Sequence, residues 1–201
     1  MRGLEQIPWL YDAFLWVMEA TGLRRWRETV AAGARGRVLD VGCGTGRNLP
    51  LLPPGTKVIG LDPTRESLLR ARRRAPGALL VRGSAEKLPF RDGAFDTVVS
   101  GLVFCSVPDP LRGLAEVRRV LAPGGQLRML EHVRSTGRLG GKWQDFIQPL
   151  WTRLMGGCHP NRETEANVRK AGFEIDPADH RAQGTMRRFS AKASAGASRG
   201  P

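Results

Sequence analysis

Short apolar stretches alternate with helix-like stretches along the middle of this 201-residue chain, and this alternation restricts its fold more than any other feature. The apolar stretches are residues 37–41, 57–62, 78–83, 95–100 and 126–133, and helical patterns lie between them at 64–74 and 110–121. Strands that are separated by helices pair in parallel and are buried on both faces. The sequence therefore predicts an α/β fold with a mostly parallel sheet and helices on both faces. Residues 173–175 and 185–190 bring the predicted sheet to seven strands.

The chain length suits one domain with a substantial core and is marginal for two. We predict that this domain covers residues 35–190, with a substrate-side insertion at 134–171. Residues 1–34 are predicted to form an N-terminal helical lid. Residues 191–201 are small and polar, and we expect a disordered tail there.

The chain is strongly basic, with 32 Lys and Arg against 19 acids and a net charge of +13. This charge indicates either attraction to nucleic acid or an anionic membrane, or an arginine-rich composition without a role of its own. The three cysteines, Cys43, Cys105 and Cys158, are odd in number and lack metal-like spacing. No signal-peptide pattern or membrane-spanning apolar run is evident. We therefore predict a cytoplasmic protein with reduced thiols and no metal.

A glycine-rich turn, Gly42-Cys43-Gly44-Thr45-Gly46, follows the first predicted strand. Glycines at such a turn let a ligand approach the backbone closely. The dinucleotide fingerprint requires its third glycine one position later, and Arg47 stands there. No Gly-Lys-Ser/Thr follows, so a phosphate-binding P-loop is excluded.

Two acidic residues end the first and second predicted strands. Asp40 would repel a pyrophosphate but suits a ligand that carries an ammonium group. Asp62 is placed to accept hydrogen bonds from the two hydroxyl groups of a ribose. The turn and its acids together favour a cationic nucleoside ligand.

Three features occur together in this chain: a strand followed by Asp-x-GxGxG, a second strand that ends in Asp, and "GSAEKLPF" at 83–90. This combination resembles the class I S-adenosylmethionine (SAM) methyltransferases. The resemblance covers about residues 37–133 and implies a Rossmann-like fold with SAM as cofactor. It places Asp40 and the glycine turn beside the methionine part and Asp62 on the ribose. It further implies that Ser84 and Ala85 lie beside the adenine, and that Gly101 and Leu102 line the methionine end.

The N-terminal segment "WLYDAFLWVMEATGLRRWRE" resembles that of quinone-biosynthesis methyltransferases, which have a similar Tyr-Asp and an Arg-Arg-Trp-Arg-like run. The resemblance implies that Tyr11 caps the cofactor or substrate pocket. Trp9, Tyr11 and Trp16 are residue types that favour a membrane interface. We therefore predict a lid that also makes weak, peripheral contact with an anionic membrane at the inner membrane surface.

The C-terminal part resembles a subgroup that contains membrane-associated alkyl thiol methyltransferases and, more loosely, small bacterial phosphatidylethanolamine N-methyltransferases. The shared features are a Glu-His that ends strand five, a helix with Trp, Gln and Pro, and a Gly-Cys followed by Arg-Glu-Thr. His132 could take a proton from a thiol or ammonium acceptor, with Glu131 orienting His132 or contacting the acceptor, or His132 could be purely structural. Cys158 and Arg162 are assigned to the substrate side. Arg162 and Arg153 could hold a phosphate or could simply coat the surface, which is the commoner case for arginines.

The sequence predicts methyl transfer from SAM to a lipophilic small molecule or a lipid headgroup, with a thiol, amine or quinone-like acceptor. A nucleic-acid methyltransferase is an alternative, motivated by the charge and by "RARRR" at 70–74. Against it, no Asn/Asp-Pro-Pro-aromatic motif and no RNA-binding module is present. A second alternative is a scaffold that binds SAM without catalysis.

Overall fold

The computed structural model describes residues 22–154 and 157–194, with Arg138 and Leu154 described by their backbone alone. The strands are β1 (Arg37–Val41), β2 (Lys57–Asp62), β3 (Leu79–Arg82), β4 (Phe95–Gly101), β5 (Leu121–His132), β6 (Phe173–Ile175), β7 (Arg181–Gln183) and β8 (Met186–Ala193). The helices are α1 (Arg24–Ala32), α2 (Arg65–Arg74), α3 (Pro110–Val120), α4 (Arg138–Leu154) and α5 (Thr164–Lys170). A 3-10 turn, Leu49–Leu51, follows the glycine-rich turn.

All described strands belong to one sheet with the order β3-β2-β1-β4-β5-β8-β6, and β7 pairs with β8. The first five strands pair in parallel, whereas β8 runs antiparallel to β5, β6 and β7. The prediction of a mostly parallel α/β sheet is confirmed, and β7 adds a strand that the sequence analysis did not predict. The strand order reverses between β1 and β4, and ligands of such sheets bind at this point, outside the carboxyl ends of the strands.

Apolar side chains fill both faces of the sheet, as expected for buried parallel strands. On one face Leu39 of β1 belongs to a cluster with Leu114 of α3 and Val168 of α5. On the other face Val38 clusters with Ala71 of α2. Successive residues of a strand point to opposite faces, so β1 anchors both layers. Full burial of each such Leu or Val contributes about 1.5–3 kcal/mol.

The C-terminal boundary needs a correction. Strand β8 continues to Ala193, with Ala191 paired to both Leu127 and Ile175. The expected disorder is therefore wrong for residues 191–193, because they lie between two strands that satisfy their backbone hydrogen bonds. Residues 195–201 lie outside the described part of the chain.

The predicted N-terminal lid lies mostly outside the described residues. Residues 1–21, which include Tyr11 and the aromatic residues expected at a membrane, are not described. Helix α1 begins at Arg24 and buries Arg27, Val30 and Ala31. Among the described helices, none is both long and apolar enough to cross a bilayer.

Candidate active site

The carboxyl ends of the parallel strands bring most of the predicted site residues to one edge of the sheet. Asp40 lies in β1, Asp62 ends β2, Gly101 ends β4 and His132 ends β5. β1 is the neighbour of both β2 and β4, so the glycine-rich turn after β1 lies at the centre of this edge.

The three glycines of the turn have positive φ angles, of 63° at Gly42, 53° at Gly44 and 81° at Gly46. A Cβ atom on Gly42 would lie 2.5 Å from Val103, and one on Gly46 would lie 2.9 Å from Ala71. Packing therefore requires glycine at both of these positions. A Cβ on Gly44 would meet nothing closer than the Gly42 carbonyl oxygen at 4.0 Å, so Gly44 faces open space.

Asp62 is 8% exposed and holds the turn in place. Its Oδ2 accepts a hydrogen bond from the Gly44 N–H at 2.9 Å, and its Oδ1 accepts one from the Thr64 N–H at 2.8 Å. Burial raises the pKa of the carboxyl group, and these two N–H groups oppose the shift. Each carboxylate oxygen keeps a second lone pair, so Asp62 can still accept hydrogen bonds from two ribose hydroxyls.

Asp40 is fully buried beside the turn and has one unsatisfied oxygen. Its Oδ1 accepts a hydrogen bond from Asn48 Nδ2 at 3.1 Å, whereas its Oδ2 is buried without a partner in the described part of the chain. Burial raises the pKa of Asp40 to about 7, and the neighbouring charge of Asp62 adds to the increase. Two buried carboxyl groups in a basic protein suit a cationic ligand, and an ammonium group would satisfy the free oxygen.

Asn48 and Arg27 were not predicted as site residues. Arg27 Nη1 donates to Asn48 Oδ1 at 2.9 Å, so the two residues continue the hydrogen-bonded chain from Asp40. Both are buried, with 5% exposure for Arg27 and 6% for Asn48. The available signal for Asn48 was a polar residue two positions after the last glycine of the turn. Arg27 comes from α1, and nothing in its helical pattern placed it against Asn48.

Gly101, which ends β4, and Leu102, which follows it, lie close to the hydrogen-bonded pair of Asp40 and Asn48. Leu102 has a φ of 62°, and no other non-glycine residue among those described has a positive φ. This conformation costs about 1–2 kcal/mol and is held by a 2.7 Å hydrogen bond from its N–H to the Leu130 carbonyl. A Cβ on Gly101 would lie 3.0 Å from Asn48 Nδ2. Gly101 therefore lies next to Asn48, the hydrogen-bond partner of Asp40, and Leu102 follows Gly101 directly.

The turn after β3 holds Ser84 and Ala85 in a defined conformation. The Ser84 Oγ accepts a hydrogen bond from the Glu86 N–H at 3.2 Å, and Ala85 is 8% exposed. A Cβ on Gly113 would approach the Ala85 carbonyl oxygen to 3.7 Å, so α3 packs against this turn.

Glu131 positions the loop after β4. Its carboxylate is fully buried and accepts hydrogen bonds from the Ser100 hydroxyl and from the backbone N–H groups of residues 103–105. Burial raises its pKa to about 7, against the effect of these hydrogen bonds. These hydrogen bonds tie Glu131 to β4 and its loop, and none of them reaches His132, so direct orientation of His132 by a hydrogen bond from Glu131 needs correction. Contact of Glu131 with an acceptor stays a prediction.

His132 lies at the acceptor side of the edge with Trp151 and Cys158. It is half-buried, and its ring centroid lies 6.4 Å from that of Trp151. The indole Nε1 of Trp151 is buried without a hydrogen-bond partner among the described residues. The facing Cys105 thiol, the His132 ring and the Trp151 indole lower the pKa of Cys158 against the effect of burial, and so favour its thiolate. We name His132, Trp151 and Cys158 the acceptor cluster, after the acceptor role that the sequence analysis predicts for His132 and Cys158.

The inner face of α4 holds the acceptor cluster in place through residues that were not predicted. Gln144 accepts from the Ser135 N–H at 2.6 Å and donates to the Pro160 carbonyl at 2.8 Å. Thr152 Oγ1 donates to the Cys158 carbonyl at 3.0 Å. These bonds join α4 both to the segment after β5 and to the segment that carries Cys158.

Arg162 joins the segment that carries Cys158 to the loop after β4 by hydrogen bonds. Its guanidinium donates to the carbonyl oxygens of Phe104 and Val107, and the His159 N–H donates to the Cys105 carbonyl at 2.8 Å. Desolvation lowers the pKa of Arg162. Both hydrogen bonds of the guanidinium use Nη1, so a contact of Arg162 with a phosphate stays a prediction.

No group of three or more His, Cys, Asp or Glu within residues 22–154 and 157–194 is arranged to hold a metal ion.

Comparison with known proteins shows similarity to methyltransferases across most of the chain. The methyltransferase domain family matches residues 39–129. A thiol S-methyltransferase from Homo sapiens is 38% identical over 151 residues, which cover 70% of this chain and 62% of that protein. A demethylmenaquinone methyltransferase from Thermotoga maritima is 32% identical over 165 residues, 78% of this chain and 72% of that protein. A phosphatidylethanolamine N-methyltransferase from Cereibacter sphaeroides is 39% identical over 115 residues, 54% of this chain and 57% of that protein.

Solved structures of other proteins share this fold. A SAM-dependent methyltransferase from Thermotoga maritima superposes with a TM-score of 0.66 and 24% identity, covering 90% of this chain and 95% of that one. The present chain spans about three-fifths of the length of the human thiol S-methyltransferase that it matches.

Proposed function

Because this chain belongs to the class I SAM-dependent methyltransferase family, we propose that it transfers a methyl group from SAM to a lipophilic small molecule or lipid headgroup. Among such acceptors a hydrophobic alkyl thiol is the best supported. The observation that carries this choice is sequence identity, which is 38% to the human thiol S-methyltransferase against 32% to the demethylmenaquinone methyltransferase. The 151 residues that match the thiol S-methyltransferase extend well beyond the core at 39–129, so they include segments that flank the cofactor core.

The cofactor half of the site has residues that fit SAM. Asp62 would accept hydrogen bonds from the ribose, and Ser84 and Ala85 would lie beside the adenine. The open side of Gly44 would receive the cofactor, and the free oxygen of Asp40 would accept a hydrogen bond from its ammonium group. When bound, SAM supplies a methyl group on a positively charged sulfur. The protein has to align the acceptor and exclude water, which together can supply about 7–11 kcal/mol of the barrier.

The acceptor half of the site suits a nucleophile that must lose a proton. His132 is half-buried at the end of β5, where it can take a proton from a thiol. The Trp151 indole faces the Cys158 thiol in this half of the site. Tyr11, which lies outside the described residues, remains a proposed cap on this pocket.

A panel of acceptors tests the proposed substrate class. Purified protein is incubated with methyl-labelled SAM and, in parallel, a long-chain alkyl thiol, a short hydrophilic thiol, phosphatidylethanolamine vesicles, a demethylated quinone or transfer RNA. We expect the highest kcat/KM for the long-chain thiol. Preferred methylation of RNA would replace the proposal with the nucleic-acid alternative. SAM binding without turnover on any acceptor or on cell extract would favour the scaffold alternative.

Replacing His132 tests its proposed role in proton transfer. We expect His132→Ala to lower kcat by about 100-fold with SAM affinity nearly unchanged, and an acceptor that is already a thiolate at high pH should recover part of the loss. His180→Ala is the matched control, since the His180 ring binds Glu165 instead. Unchanged turnover in His132→Ala, measured on folded protein, would show that His132 is structural.

A further inference from the structure

Helix α4 exposes a continuous apolar stripe to its surroundings. The exposed fractions are 86% for Leu139, 62% for Trp143, 77% for Phe146 and 64% for Leu150. These positions recur every three or four residues and span about 60° of the helix circumference at about 100° per residue. We name these four residues the outward stripe. Among the described residues, seven large apolar side chains are strongly exposed, and four of them form this stripe.

The opposite face of α4 is polar and points into the protein. Gln144 is 6% exposed and bonds three backbone groups, Gln148 binds the His159 ring at 3.0 Å, and Thr152 binds the Cys158 carbonyl. A surface helix of a globular protein usually shows the reverse pattern, with its apolar side on the core. Since the inner face is fixed by these hydrogen bonds, the outward stripe requires a partner other than the described core.

The charges around the outward stripe favour an anionic partner. Lys142 and Arg153 are exposed, and they lie about 70° and about 50° from the centre of the stripe, both on the same side of it. The acid of this helix, Asp145, is paired with Arg134. A second copy of this chain would bring a net charge of +13 against another +13, which opposes self-association through this face.

We propose that α4 lies in the plane of an anionic lipid membrane, with the outward stripe inserted between the headgroups and Lys142 and Arg153 on the lipid phosphates. An apolar stripe with an aromatic residue and flanking cations is the pattern of an interfacial helix. The helix has 17 residues and, like the other described helices, cannot span the bilayer.

This docking would place the acceptor cluster directly behind the membrane surface. Trp151 belongs to α4 itself, and Thr152 holds the segment that carries Cys158. A lipophilic acceptor dissolved in the bilayer would then reach the cluster along α4 without crossing water. This consequence rests on the proposed function, whereas the docking itself does not.

Vesicle flotation tests the docking. The full-length protein is mixed with vesicles of phosphatidylglycerol and phosphatidylcholine, or of phosphatidylcholine alone, at low and high salt. We expect binding to the anionic vesicles that weakens with salt. The double variant Phe146→Ser/Leu150→Ser should bind at least tenfold more weakly, because it removes half of the inserted stripe. The matched control, Leu69→Ser/Leu79→Ser, changes two leucines that are 51% and 66% exposed elsewhere, and it should bind like wild type.

Three outcomes would overturn the proposal. Equal binding by wild type and the stripe variant would assign membrane contact to another surface, such as residues 1–21. Absence of wild-type binding to every vesicle would exclude docking. A wild-type dimer that the stripe variant dissociates, detected by light scattering, would make a second copy the occupant.

Turnover separates failure of the docking from failure of the proposed function. We expect the stripe variant to keep its rate on a short water-soluble thiol and to lose rate on a long-chain thiol held in vesicles. No turnover on either thiol, together with stripe-dependent flotation, would reject the proposed acceptor and leave the docking supported.

Discussion

At the scale of single residues, the site depends on two buried acids whose positions follow from the strand pattern. Asp40 and Asp62 could be predicted because strand ends are fixed by the alternation of apolar and helical stretches, and parallel strands end at one edge. Asn48 and Arg27 could not be predicted, because their contact with Asp40 depends on how α1 packs against the turn. The direct partners of Glu131 were missed for the same reason, since they come from another strand and its loop.

Asp62→Ala should weaken SAM binding. The variant leaves the ribose hydroxyls without their acceptor and releases the Gly44 and Thr64 N–H groups, which together should cost about 1–3 kcal/mol of binding free energy. Calorimetry measures the affinity, and Asp92→Ala serves as the control because Asp92 is exposed and pairs with Arg119. Wild-type affinity in Asp62→Ala would refute the assignment.

SAM affinity should rise with pH because of Asp40. Its pKa is raised to about 7, so the carboxyl group is mostly protonated at pH 6 and mostly ionised at pH 8. Only the ionised form attracts the ammonium group, so affinity should increase up to about tenfold between these values. Binding at pH 6 should also release a proton, which calorimetry in buffers of different ionisation enthalpy detects. In Asp40→Asn both effects should disappear, and their persistence would point to another titrating group.

At the scale of elements, the glycine-rich turn and the five parallel strands could be predicted from local patterns. Period and composition mark buried strands, and the turn residues mark the ligand edge. The strand β7 was missed because its three exposed residues carry no apolar pattern. The inward face of α4 was missed because glutamine and threonine are ordinarily interpreted as solvent-facing, and only the tertiary structure shows them bonded to loops.

Gly44→Ala and Gly55→Ala separate backbone strain from ligand contact. Both glycines have positive φ, 53° and 85°, and a Cβ on either meets no atom closer than 4.0 Å. Each alanine should therefore cost about 1–2 kcal/mol of folding stability. Only Gly44→Ala should also weaken SAM binding, by about tenfold or more, since its methyl group enters the cofactor space. Equal SAM affinities in the two variants, with thermal unfolding as the check on folding, would exclude contact at Gly44.

At the scale of the whole molecule, residues of both halves of the site could be predicted, His132 and Cys158 among them, but the contacts that join the acceptor half could not. Most of the cofactor residues lie at or just after the carboxyl ends of strands that the apolar stretches of the sequence mark. The acceptor cluster is joined by contacts between segments about 50 residues apart, such as His159 with Cys105 and Arg162 with Phe104. Contacts of this kind arise from how loops pack over the sheet edge, and no local pattern encodes them. The sequence therefore supported a family of acceptors, whereas the structure shows which side chains lie near His132 at the end of β5.

The central claim is that this chain uses SAM to methylate a lipophilic small molecule or lipid. The most direct measurement incubates the purified protein with methyl-labelled SAM and a cell extract, then separates the extract into organic, nucleic-acid and protein fractions. Wild type should place the label in the organic fraction, and Asp62→Ala should reduce that label at limiting SAM. Label in the nucleic-acid or protein fraction, or none above the level without enzyme, would contradict the account.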